Sequence, residues 1–285
     1  MPAWASQWLA DGNVFLFRLA SLLVSLLTAF LMASFVILER RVSWQLCMLM
    51  LVSAVAFNVQ PDASAFISML LPVAAMGLLF RCDTSTDVGS ELYLLFAVST
   101  SFTLLFPQFV VLLPLLLFYP ALSGKLSLKG FFAALLGAAT PLWTVAALVY
   151  LFPSFSSFVN FSGECFSLFW QSPSLLLSPS LLLMLVVEFM VAIPAMVHFF
   201  VTASIGRTHL RRRMMFCIVT DVVLWLAGWL FPELLVLFFI WRLPVFSLLS
   251  AYLFSMLPPK TSNIYIVSSL LLWTTSMVID FIWIG

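Results

Sequence analysis

The chain alternates long apolar runs with short polar or charged breaks. The runs are continuous for about 15 to 25 residues, which is the pattern of bilayer-crossing helices; barrel strands would alternate over about 10 residues. The pattern predicts ten helical segments. The first five are Val14 to Leu38, Val42 to Val59, Ala63 to Phe80, Leu92 to Phe106 and Phe109 to Leu122. The second five are Phe131 to Phe152, Ser180 (or Leu175) to Ile205, Met214 to Phe231, Leu234 to Met256 and Ile264 to Ile284. Segments four and five, split at Pro107-Gln108, are each about 15 residues, below the roughly 20 that a straight crossing needs. They either cross a thin region or form a re-entrant hairpin inside protein.

Charge placement gives the pattern a direction. Of the twelve Lys and Arg, Arg40, Arg41, Arg81, Lys125, Lys129, Arg207, Arg211, Arg212, Arg213 and Lys260 follow odd-numbered segments. Only Arg18 and Arg242 fall inside segments. Basic loops stay in the cytoplasm. One threading satisfies all ten: both termini outside and the odd-numbered loops inside. A re-entrant hairpin for segments four and five leaves this unchanged, because it returns the chain to the same side.

Composition agrees. Hydrophobic residues make up 64% of the chain and charged residues 8%, against roughly 25% charged in soluble domains. The expectation is one all-α, polytopic membrane domain over residues 1–285. It carries an external interfacial segment at 1–13, an aromatic external loop at 153–172 and a basic cytoplasmic loop at 206–213. Trp4 and Trp8 suit a short interfacial helix, and no cleavable signal is evident. In the 153–172 loop, Phe155, Phe158, Phe161, Phe166, Phe169 and Trp170 read either as a rim anchor or as a lid. A net charge of +1 suggests no nucleic-acid partner. Cys47, Cys82, Cys165 and Cys217 have neither metal nor disulfide spacing.

The groups that stand out are charges inside the apolar runs. Each costs about 2.5–3.5 kcal/mol at mid-bilayer, so each faces the bundle interior and seeks a partner. At about 1.5 Å of rise per residue their depths match in pairs. Glu188 and Arg242 both lie about eight residues from the outer ends of inward-running segments. His198 and Asp221 lie about seven from the inner ends of theirs. Arg18 and Asp280 are level near the outer side, and a stripe of Ser21, Ser25 and Thr28 continues the Arg18 face. Such pairs either fix the helix arrangement or form a site. Pro194, between Glu188 and His198, and Pro244, just after Arg242, each free a backbone carbonyl, as in transporters with broken helices. His198 with Asp221 could act as a base and its orienting group, but no nucleophile stands beside them. No catalytic, metal or cofactor motif is present, so no cofactor, metal or catalytic residue is expected. Arg207, Arg211, Arg212 and Arg213 suit anionic lipid head groups, or serve only to set topology. Ser99, Thr100, Ser101, Thr103 and the small residues Ala133, Ala134, Gly137 and Ala138 read as helix-packing positions.

The run KLSLKGFFAALLGAATPLW (Lys125 to Trp143), after the short hairpin around Pro107, resembles an uncharacterised polytopic inner-membrane family from Bacteroidetes, over about residues 30 to 150. The resemblance implies the cytoplasmic (inner) membrane of a bacterium and no particular activity. Membrane glycosyltransferases and polysaccharide polymerases fit less well, lacking here their large acidic external loop. The expected role is a non-catalytic subunit or scaffold of an envelope complex, with the bilayer and other membrane proteins as partners. The alternatives are a transporter or binder of a small anionic or amphiphilic substrate among segments seven, eight and nine, and an enzyme acting on a lipid-linked substrate.

Overall fold

The computed structural model describes Leu23, Leu27, Phe30, Ser68, Ser85 and residues 70–82, 87–152, 179–202, 208–231 and 234–284. The first segment apart from three residues, the second segment, the 1–13 stretch and the 153–172 loop lie outside them. Every element among the described residues is helical. The helices are α1 (Leu70–Arg81), α2 (Val88–Leu105), α3 (Leu113–Leu122), α4 (Leu128–Leu151), α5 (Pro179–Thr202), α6 (Thr208–Leu230), α7 (Leu235–Met256) and α8 (Pro259–Ile284), with a 3-10 turn at Pro107–Leu112 leading into α3. Among the described residues, three stretches are long and apolar enough to cross a membrane: Leu128–Leu151, Arg211–Leu230 and Leu237–Phe254.

Several boundaries differ from the sequence expectation, each for a physical reason. α2 starts four residues early. Its first turn carries Glu91, which suits the positive end of the helix dipole and takes a salt bridge from Arg81 at 3.3 Å. α6 starts at Thr208, so Arg211, Arg212 and Arg213 lie in its opening turns and not in a loop reaching residue 213. Anchoring explains this: the Arg213 guanidinium sits 5.1 Å from the centre of the Phe80 ring. Phe80, Tyr119 and Phe216 pack edge-to-face with centroids 5.4–6.2 Å apart. α8 starts at Pro259, where a proline at the first helical position loses no hydrogen bond.

Segments four and five are longer than their residue counts suggest. α2 has 18 residues, about 27 Å at the α-helical rise. The 3-10 turn contributes six residues and α3 ten. A 3-10 helix rises about 2.0 Å per residue, so this connection also reaches about 27 Å.

The chain divides into two compact units. One comprises Met1–Leu70, Leu175–Gly206 and Phe239–Gly285; the other comprises Leu71–Ser174 and Arg207–Phe238. In the second unit, α2 and α4 pack through a seam of small residues, Gly130, Ala134 and Gly137, all buried. Contacts run from Gly89 beside Lys129, through Leu92 against Gly130, to the Tyr93 backbone on Gly137. The Tyr93 and Thr140 hydroxyls lie 3.1 Å apart. The two series rise together, so α2 and α4 are parallel. Ala134 and Gly137 thus do the packing their size suggested, while much of the rest of α4 is exposed, including Leu136, Trp143 and Tyr150.

The first unit is centred on α7, nearly all of which is buried from Phe238 to Phe254. Glu188 of α5 meets Arg242 of α7. Ten residues further along both helices, His198 and Phe199 meet Tyr252. Equal steps make α5 and α7 parallel and in register.

Candidate functional site

The best-defined polar feature lies between α5 and α7. A helix that is apolar on every side, as α7 nearly is, belongs in a core or a membrane, and its one charge then needs a partner. Arg242 Nη1 stands 3.1 Å from Glu188 Oε2, with the side chains 3% and 1% exposed. Next to Arg242, the buried Trp241 indole N–H donates to Ser68 Oγ at 2.8 Å. Two residues beyond Arg242, Pro244 interrupts the hydrogen-bond ladder of α7. Two buried serines then bond to the backbone: Ser247 Oγ donates to the Pro244 carbonyl at 2.9 Å, and Ser250 Oγ to the Ser247 carbonyl at 2.9 Å. Local hydroxyls thus serve the backbone in a stretch that has no water-facing side.

The physical effect of the pair is to pin register. Two charges at this burial are tolerated because each neutralises the other. A slip of one helix by one turn, about 5.4 Å, would separate them and leave both in low dielectric. The next contact repeats the register: His198 packs edge-on against Tyr252 with centroids 6.2 Å apart, and Phe199 against the same ring at 6.1 Å.

The other sequence candidates are distributed as follows. His198, half-buried, belongs to the first unit, and Asp221, buried on α6 beside buried Thr220, to the second. Asp280 lies on α8, but its side chain, like Arg18 and Arg207, falls outside the described residues. Arg211 is exposed, and Arg212 and Arg213 are half-buried. Among the described residues, no three His, Cys, Asp or Glu side chains gather as a metal site.

Tyr252 and Ser68 are partners that sequence reasoning missed. Tyr252 carried a usable signal, since it follows Arg242 by the same ten residues that separate His198 from Glu188. Ser68 carried none, being one hydroxyl in an apolar run.

Among the described residues the architecture is all-helical, three apolar helices (α4, α6 and α7) are long enough to cross a membrane, and a buried ion pair joins α7 to α5. Comparison with protein families, with characterised proteins and with solved structures finds no match to this chain.

Proposed function

We propose that this chain is a multi-pass protein of a bacterial cytoplasmic membrane that acts as a non-catalytic subunit or scaffold of an envelope complex. The observation that carries the reading is the closed Glu188–Arg242 pair. The two charges best placed to hold a substrate are engaged with each other at 3.1 Å and shielded from solvent. A pair of this kind holds helices in register. The exposed apolar side chains of α4 suit lipid or an apolar partner.

The topology in this proposal has ten segments with both termini outside. Parallel pairing supports it at two points. α2 and α4 run the same way, so the chain from Pro107 to Leu122 brings the polypeptide back between them. α5 and α7 also run the same way, so the chain between Thr202 and Leu235 must return. The inner bacterial membrane rests on the loop cations and on the resemblance of the Lys125 to Trp143 run.

Native mass spectrometry of the detergent-purified protein tests the role. The expected spectrum holds a defined protein partner or a homo-oligomer. A stoichiometric small anionic ligand whose retention is lost in R242Q would favour the binder instead. Topology has a separate test. A cysteine at Ser157 is expected to react with an impermeant maleimide from outside, and one at Ser127 only after the membrane is opened; the reverse pattern would overturn the threading.

A further inference from the structure

The second unit gathers cations from four elements at one end, which the basic cluster alone did not suggest. Arg81 closes α1, and Arg211 to Arg213 open α6. Lys125 follows Gly124, which takes a left-handed φ of 68° to end α3. Lys129 lies in the first turn of α4, behind the Ser127 cap, whose hydroxyl accepts from the Gly130 N–H at 3.1 Å.

Contacts link these groups. Arg213 lies over Phe80, next to Arg81. Arg81 reaches Glu91 on α2 at 3.3 Å, and Lys125 Nζ donates to the Cys82 carbonyl at 2.8 Å. Lys129 and Asp87 both flank Gly89 at the start of α2. Among the described residues, the carboxylates in these contacts are Glu91 and Asp87, fewer than the cations. Glu91 is engaged by Arg81, and Arg211, Arg212 and Lys129 stand at least partly exposed.

The adjoining surface is apolar. Lys129, Phe132, Leu136 and Trp143 follow one another at intervals of three, four and seven residues, which is one face of α4. The last three are 55%, 63% and 79% exposed. A cationic rim above an exposed apolar rail fits an amphiphile with an anionic head and a long chain.

We infer that this end of the second unit binds an anionic phospholipid, with Arg211, Arg212 and Lys129 at the head-group phosphate and Phe132, Leu136 and Trp143 along an acyl chain. The inference rests on the membrane reading above and is independent of the scaffold role.

The test titrates the full-length protein in a neutral detergent with phosphatidylglycerol or phosphatidylcholine and counts bound lipid by native mass spectrometry. The wild type is expected to prefer phosphatidylglycerol by tenfold or more. At about a fivefold gain per basic residue near an anionic surface, K129Q/R211Q/R212Q is expected to lose that preference entirely. K129R/R211K/R212K is expected to keep it, which separates charge from folding. Glycerol phosphate and inorganic phosphate at the same concentration are expected not to compete, because they lack the chain. No preference in the wild type, an unchanged preference in the glutamine variant, loss in the charge-preserving variant or competition by free phosphate would each overturn the inference. The maleimide labelling reads the threading separately, so either result can fail without the other.

Discussion

Replacing Arg242 by Met with Glu188 left in place is expected to destabilise the protein by about 3–5 kcal/mol, because it strands a buried carboxylate. Glu188→Leu alone is expected to cost a similar amount by stranding the guanidinium. The double change E188L/R242M is expected to recover most of that loss. Replacing a buried ion pair by apolar side chains of similar volume is often neutral, since the attraction between the charges does little more than offset their desolvation. The readout is thermal unfolding of the detergent-solubilised protein, followed by monodispersity after heating. Full additivity of the two single losses would mean that Glu188 and Arg242 do not act as a unit, against the 3.1 Å contact.

The same variants address function. If the pair only sets register, E188L/R242M keeps its fold and its partner. If Arg242 reads an anion, the double variant keeps its fold and loses the ligand. The charge exchange E188R/R242E adds a geometric check, because Arg is longer than Glu and the surrounding packing accepts only one arrangement well. Partial rescue of stability by the exchange is expected, smaller than that of the apolar pair.

Glu188 and Arg242 could be matched from sequence because the α-helical rise turns position in a segment into depth. Depth is one coordinate, however, and contact also needs azimuth. Tyr252 shows the limit: it packs edge-on against His198 within the same unit, at a depth fixed by the same register. An aromatic partner carries no charge, so charge matching could not find it.

Boundaries failed for a related reason. Hydropathy marks where apolar residues stop, whereas helices stop where backbone groups find other partners. Arg213 is held inside α6 by an aromatic ring from α1, Phe80, 133 residues away in sequence, a contact that no local pattern encodes. The cationic end of the second unit was half legible. The positive-inside pattern grouped its members on one side of a membrane, but only the fold joins Arg81, Lys125, Lys129 and Arg213 through shared contacts.

Close approach was legible only as composition, and it sets the second large effect. At Gly137 an added Cβ would collide with the Tyr93 carbonyl oxygen and lie 3.0 Å from its carbon. Backbone atoms cannot rotate away, so Gly137→Ala must push α2 and α4 apart and disturb the Tyr93–Thr140 hydroxyl contact of 3.1 Å. Overpacking of this kind costs about 1–3 kcal/mol. Two other helical glycines of this unit, Gly130 and Gly228, serve as internal controls. At Gly130 the nearest atom is the Leu92 Cδ1 methyl at 3.1 Å, the far end of a flexible side chain, and at Gly228 nothing lies nearer than 3.7 Å. Gly130→Ala is therefore expected to be near neutral. Gly228→Ala is expected to be neutral or stabilising, by up to about 1 kcal/mol, since alanine is the better helix former. Compensation sharpens the distinction. Leu92→Ala should relieve any strain from an alanine at 130. Tyr93→Ala should not rescue an alanine at 137, because the colliding oxygen belongs to the main chain. Thermal unfolding of these five variants decides the matter: rescue of Gly137→Ala by Tyr93→Ala, or equal effects at 130, 137 and 228, would show that the α2–α4 seam does not depend on backbone contact at Gly137.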